Sequence, residues 1–174
     1  MSDHIKTLFN GTMLSSYRQL HVMSAECQEL MPDDSRKGHV NGLCGGATPG
    51  GLFLTVGIHT GDIPINVELH ASAPPIDHSW DEIVEASCSF GEEPVMLFGW
   101  AGESSAELAM AVGSYRVRFC AKAFGQSEAE GDLEKAQERY LLIFWPAPSA
   151  ADAILKQTSD EAAYWHQVSR DENL

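Results

Sequence analysis

The sequence predicts a mainly β protein, an antiparallel β-sandwich of two sheets with one or two short C-terminal helices. Three observations predict it. Residues 63–70 alternate apolar and polar side chains with a period of two. Several other short apolar or alternating runs, each bounded by turn residues, follow one another up to residue 145. After Pro146 and Pro148 the pattern changes to one with helix-start signals. At 174 residues the chain is long enough to bury a core as one domain, 1–174, with the sandwich over about 4–146 and a helical segment over about 149–168.

The elements follow in chain order. Residues 16–23 (SYRQLHVM) set Tyr17, Gln19, His21 and Met23 against Arg18, Leu20 and Val22, a strand with one partly apolar face. The glycine-rich stretch 37–51 (KGHVNGLCGGATPGG) reads as turns or a loop in which Gly permits positive φ. It has neither a GxGxxG nor a Walker spacing, so it is not a phosphate cradle. Residues 52–59 (LFLTVGIH) and 63–70 (IPINVELH), joined by Thr60-Gly61-Asp62, predict a β-hairpin. Pro64 marks an edge or a first position. Strands are expected over 82–90 and 95–100, the second a continuous apolar run. In 114–122, Tyr115, Val117 and Phe119 alternate with Arg116 and Arg118. The last strand, 139–145 (RYLLIFW), ends at Pro146 and Pro148, which cannot donate to a ladder. Ser149 then reads as a helix N-cap with Asp152 three residues on. That helix runs through DAILKQT, breaks and restarts at Ser159-Asp160-Glu161, and docks through Ile154, Leu155, Ala162 and Trp165.

Charge narrows the function classes. The chain carries 11 Lys+Arg against 25 Asp+Glu, a formal net charge of −14. Such a protein repels nucleic acid and anionic membrane surfaces, so no direct nucleic-acid binding and no membrane association are expected. A basic protein partner fits the charge instead. No apolar run approaches the length of a membrane span. The opening MSDHIKTLFNG has no signal-peptide core, so a cytoplasmic location is expected. Cys27, Cys44, Cys88 and Cys120 form no CxxC pair and read as reduced small hydrophobes.

Motifs that carry chemistry are scarce. His59, His70 and His78 lie near one another in sequence, but a tight hairpin would hold His59 and His70 more than ~20 Å apart at about 3.3 Å per residue. With no HExxH, HxH or Cys/His cluster, no metal site and no cofactor are expected. Asp77-His78-Ser79 cannot reach triad geometry, because adjacent loop residues cannot place base against nucleophile. No catalytic residue is therefore assigned. The distinctive charged segment is 126–138, in which Glu128, Glu130, Asp132, Glu134 and Glu138 face a single Lys135. It reads either as a solvated loop or as a contact surface for a basic partner. A second reading is a small-ligand pocket between the sheets, lined by His59, Trp80 and Trp100. A third is an enzyme whose histidines and carboxylates cluster only in space.

Two resemblances extend this. GIHTGDIPINVEL (57–69), LFGWAGE (97–103), SYRVRFCAK (114–122), YLLIFWPAP (140–148) and QTSDEAAYWH (157–166) resemble a family of small, mostly uncharacterised bacterial proteins. That resemblance implies a β-rich fold and a cytoplasmic life. SSYRQLHVM (15–23), GSYRVRFCAK (113–122) and RYLLIFW (139–145) are distantly similar to the competence protein J family, small acidic inhibitors of a DNA-entry nuclease. This implies a protein-binding role without chemistry. The expected function is a non-enzymatic interaction module, an inhibitor or immunity-type partner of a basic nucleic-acid enzyme.

Overall fold

The structure, a computed structural model, describes residues 4–99, 104–126 and 138–174. Two sheets face each other. The six-stranded sheet runs β1 (Ile5–Ser15), β5 (Gly61–His70), β10 (Arg139–Pro146), β9 (Gly113–Lys122), β6 (Glu82–Phe90) and β11 (Ala153–Lys156). The five-stranded sheet runs β3 (Cys44–Gly45), β4 (Gly51–Thr55), β2 (Gln19–Ser24), β7 (Val95–Phe98) and β8 (Ser105–Leu108). Among the described strands every pairing is antiparallel except that of β10 with β5, which is parallel. Among the described residues, a four-residue helix α1 (Pro32–Ser35) and a C-terminal helix α2 (Asp160–Glu172) accompany the sheets.

The alternation read in the sequence fixes which face of each strand is buried. Ile63, Ile65 and Val67 of β5 point inward beside Tyr140, Leu142 and Phe144 of β10 and Val117 and Phe119 of β9. Leu20 and Val22 of β2, Leu52 and Leu54 of β4 and Val95 and Leu97 of β7 meet them from the other sheet. Each such side chain contributes about 1.5–3 kcal/mol by leaving water. Phe90, Tyr115 and Phe144 pack with ring centroids 6.1–6.2 Å apart, and Phe119 stacks on Tyr140 at 5.3 Å. The space between the sheets is thus filled by side chains.

Three expectations are corrected. The hairpin over 52–70 does not form, because β4 and β5 lie in different sheets. Residues 56–60 carry the chain across the sandwich, and β5 pairs instead with β1 and β10. Pro64 is therefore neither at an edge nor at a first position: β5 begins at Gly61 between β1 and β10, and Pro64 lies opposite Thr12 of β1, one residue before the β5–β10 ladder begins at Ile65 opposite Tyr140. The helix through 152–158 is also absent. Ala153–Lys156 is an edge strand on β6, and Asp152 accepts hydrogen bonds from the backbone of Val40 and Asn41 rather than capping a helix. Ser159 is the true N-cap, accepting from Ala162 N at 3.1 Å, so only one C-terminal helix follows. Third, β1 and β8 were not foreseen. The outer half of β1 is exposed and carries a bulge between Thr7 and Phe9, which breaks the two-residue period.

The stretch 37–51, expected to be turns or a loop, also carries β3 at Cys44–Gly45 and enters β4 at Gly51, and its first part, Gly38 to Gly42, is the bed for α2. Gly38 and Gly50 do adopt positive φ, but Gly42 is needed for contact. A Cβ there would lie 1.9 Å from the carbonyl oxygen of Trp165. With the glycine in place, Gly42 N donates to His166 Nδ1 at 2.9 Å. Arg36, nearly buried, clamps the far end of the helix through a two-pronged bond to Glu172 at 3.0–3.2 Å. At the near end, buried Glu82 accepts from Thr158 N at 2.7 Å, and its burial raises the carboxyl above the usual range.

Candidate functional site

One end of the sandwich gathers polar and aromatic groups from four segments. The β1–β2 connection is a tight turn, Ser16–Gln19, closed by Gln19 N donating to Ser16 O at 3.2 Å. Its two central residues, Tyr17 and Arg18, have φ of 54° and 62°, a left-handed geometry that Asn and Gly adopt far more readily. The surroundings hold them there. Arg18 N donates to His59 O at 3.2 Å, and Val56 N donates to Arg18 O at 3.0 Å. The Arg18 guanidinium donates to the Gly57 carbonyl and lies 3.6 Å from the Glu161 carboxylate at the start of α2. Tyr17, 56% exposed, sets its ring edge-on to His59 at 5.2 Å. Strained non-glycine residues persist where tertiary contacts over-determine them, and such positions cluster at functional surfaces.

Beneath the turn lies a buried network. Gly57 N donates to the Tyr140 hydroxyl at 2.7 Å, which in turn donates to the Glu138 carboxylate. Burial, with that carboxylate beside it, raises the Tyr140 hydroxyl well above its usual range and keeps it a donor. Any side chain at Gly57 would collide with Gly125 N at 2.2 Å and Glu138 Oε1 at 2.3 Å. Gly125 and Glu138, which flank the acidic segment, therefore meet at one point of the sandwich.

Among the residues singled out in the sequence, the described ones are scattered. Glu138 is 3% exposed and turned into the protein, so it is a structural anchor in this conformation. Glu128, Glu130, Asp132 and Glu134 lie outside the described residues, as does Trp100. His59 is exposed in the β4–β5 crossing, its Nδ1 2.7 Å from Thr60 Oγ1. Trp80 is elsewhere, on the outer face of the larger sheet. Its ring lies under the Arg139 guanidinium at 5.5 Å and lines a cleft of about 280 Å³ with Asn66, Glu68 and Leu141. The structure does not bring His59 and Trp80 together between the sheets. His70 is held by Glu68 at 3.0 Å. Among the described residues no three His, Cys, Asp or Glu side chains gather around a common point in a metal-binding arrangement.

Other groups are committed to structure. A serine-rich cleft of about 360 Å³ includes His39, Ser87, Cys88 and Ser149. Its Ser87 hydroxyl already bonds Arg116 and Ala150 N, at 3.1 and 3.0 Å. Burial pushes the Cys88 and Cys120 thiols up to about 12, and Cys44 is raised too, which withholds the nucleophilic thiolate. Asp77 and Ser79 make a local turn, with Ser79 N donating to Asp77 at 3.0 Å. On the larger sheet Glu85 bridges Arg116 and Arg118 at 3.2 and 2.9 Å.

Sequence reasoning missed Tyr17 and Arg18, read there as ordinary strand residues. A turn that needs positive φ announces itself through Asn-Gly or Asp-Gly, and Tyr-Arg gives no such signal. It also gave Tyr164, 58% exposed and edge-on to Trp165 at 5.1 Å, no role.

No helix among the described residues is long and apolar enough to cross a membrane. Neither a protein-family model nor a curated protein sequence matches the chain. Two solved structures are similar to it. The crocagin biosynthetic gene J protein superimposes with a TM-score of 0.56 at 15% identity, covering 85% of this chain and 100% of its own. ComJ from Bacillus subtilis, described as an inhibitor of the DNA degrading activity of NucA, gives 0.54 at 14% identity, covering 83% of this chain and 99% of its own. The likeness establishes a shared β-sandwich fold.

Proposed function

We propose that this chain is a non-enzymatic protein-binding module of the cytoplasm, an inhibitor or immunity-type partner of a basic nucleic-acid enzyme. The observation that carries this reading is the similarity to ComJ over 99% of that inhibitor's length. The formal charge of −14 supports a basic partner, because complementary charge speeds encounter and excludes partners of like sign. Glu128, Glu130, Asp132 and Glu134 supply the acidic contact, and Tyr17 with Tyr164 supplies exposed aromatic anchors of the type that dominate interface energies.

The test has two stages. Tagged protein is first used to capture partners from a lysate of the source organism at low and at high salt. The captured protein is then assayed for DNA cleavage with and without one equivalent of this chain. The reading predicts capture of a basic nuclease at low salt, release at high salt, and suppressed cleavage in the one-to-one mixture. A captured protein whose cleavage is unchanged, or an empty capture at low salt, overturns it.

A further inference from the structure

The outer faces of the two sheets are finished differently. On the larger sheet the outward apolar side chains Ile143 and Trp145 are each 6% exposed. Arg118 lies over Trp145 and donates to the carbonyls of Pro74 and Pro75, which draws that segment across the face. On the smaller sheet, alternation turns Leu20, Val22, Val95 and Leu97 inward and His21, Met23, Met96 and Phe98 outward. The ladder sets His21 opposite Phe98 and Met23 opposite Met96, so the four form one patch. All four are only half-buried, and α1 sits to one side, on β4. β7 is apolar on both faces, the composition of a strand covered on both sides, yet its outer face stays half open. An outward apolar patch marks a contact surface, and methionine adapts to partners of varied shape.

The rim of the patch fixes the sign of what it takes. Glu107 stands beside Met96 on the same face. With Glu93, Pro94 and Met110 it lines a cleft of about 320 Å³ at the open end of the β7–β8 hairpin. Both carboxylates are exposed, and among the described residues neither has a hydrogen-bond or ion-pair partner. Glu29, Asp33, Asp34 and Glu92 around the patch are exposed and without an ion pair as well. Among the described residues of 17–36 and 91–111 the cations are Arg18 and Arg36, and each already meets a carboxylate. Two uncompensated carboxylates in one cleft beside an apolar floor match a guanidinium carried on an apolar surface. A second copy of this chain would bring like charge to the same rim, which disfavours it.

We infer that this face is a contact surface for the basic partner: an arginine of the partner enters the cleft between Glu93 and Glu107, and aliphatic side chains around it lie on Met23, Met96 and Phe98. The inference rests on the proposed function for the partner's identity and adds this surface to the contacts named there.

The probe is a helical peptide with a leucine stripe flanked by arginines. Its two controls carry glutamate for arginine, or alanine for leucine. NMR of isotope-labelled methionine methyls reads the binding, with Met13, 2% exposed in the core, as the internal reference. The probe should shift the Met23 and Met96 methyls saturably and leave Met13 in place. A Kd on the order of 0.1 mM is expected where one arginine and a few aliphatic side chains are anchored. Both controls should bind at least about tenfold more weakly. Glu93→Gln combined with Glu107→Gln should weaken the probe by about tenfold, and Met23→Ser combined with Met96→Ser by a similar factor. Because both glutamates are exposed, their variant keeps the native Tm and remains informative should the serine variant fail to fold. Unmoved Met23 and Met96 methyls overturn the inference, as does equal binding of either control or an unchanged Kd for the glutamine variant. Methyl shifts that follow the protein's own concentration without peptide assign the face to a second copy and overturn it too. If the glutamine variant inhibits the captured nuclease as well as the native chain does, this surface is wrong while the nuclease reading stands. If the probe binds as expected and no nuclease is captured, the surface stands and that reading falls.

Discussion

At the scale of single residues, two histidines and one tyrosine make the clearest predictions. His21 lies against Phe53 with ring centroids 5.0 Å apart, and burial lowers its imidazole from 6.5 to about 4. His166 is lowered to about 4 as well, by burial and then by Arg170. Both are neutral in the folded chain and protonate more readily once unfolded. Stability is therefore full above about 6.5 and falls as pH drops toward 4, by on the order of 3 kcal/mol for each histidine. The raised Glu82 carboxyl opposes this near the acid end, because its protonation favours the fold. Urea denaturation across that window should show the decline, and His21→Leu should reduce it by about half. Tyr17 is different, since its side chain faces solvent and its backbone is strained. Tyr17→Asn should leave stability unchanged or raise it by up to about 1 kcal/mol, because Asn tolerates a left-handed φ. Under the proposed function the same variant should weaken partner binding at least about tenfold, measured by calorimetry with the captured protein.

At the scale of elements, the C-terminal helix is held at three points. Ser159 caps its start, Gly42 admits its middle, and Arg36 grips Glu172 at its end. Ser159→Ala should cost about 1 kcal/mol, the usual worth of an N-cap. Gly42→Ala should cost more, upward of about 2 kcal/mol, because its Cβ would overlap the backbone of α2 and one of the two must shift. Chemical denaturation orders these variants, and hydrogen exchange along 160–172 shows whether the loss is confined to the helix. Equal effects of the two substitutions would argue that α2 docks by its start alone. The helix could be placed in the sequence from Ser159-Asp160-Glu161. Its partner surface could not, because Gly42 and Arg36 lie more than a hundred residues earlier and show no pattern that points to a helix.

Across the whole molecule, charge and fold make separate contributions. The net charge of −14 predicts that association with a basic partner weakens steadily as salt rises, with the change mainly in the association rate. Stopped-flow association rates at several ionic strengths check this, and a rate independent of salt would remove the electrostatic part of the proposal. The two-sheet architecture was legible because each half-buried strand repeats with a period of two. The same runs did not reveal which sheet each strand joins. Alternation specifies a buried face and leaves the neighbour undetermined, so the 52–70 hairpin was a reasonable reading that β4 and β5 do not follow. Likewise Ile154 and Leu155 belong to a short edge strand whose partner, β6, lies about seventy positions upstream.

Sequence alone determined the β class, the buried faces of its main strands, the helix after Ser159 and the acidic character of the chain. Each of these depends on local spacing or on composition, which every segment carries with it. Tertiary structure decided the crossing between sheets, the left-handed Tyr17–Arg18 turn, the inward anchoring of Glu138 and the outward patch shared by Met23 and Met96. All four arise from residues distant in the chain that meet only when both sheets and α2 have packed. A sequence lists such residues without stating which of them will touch.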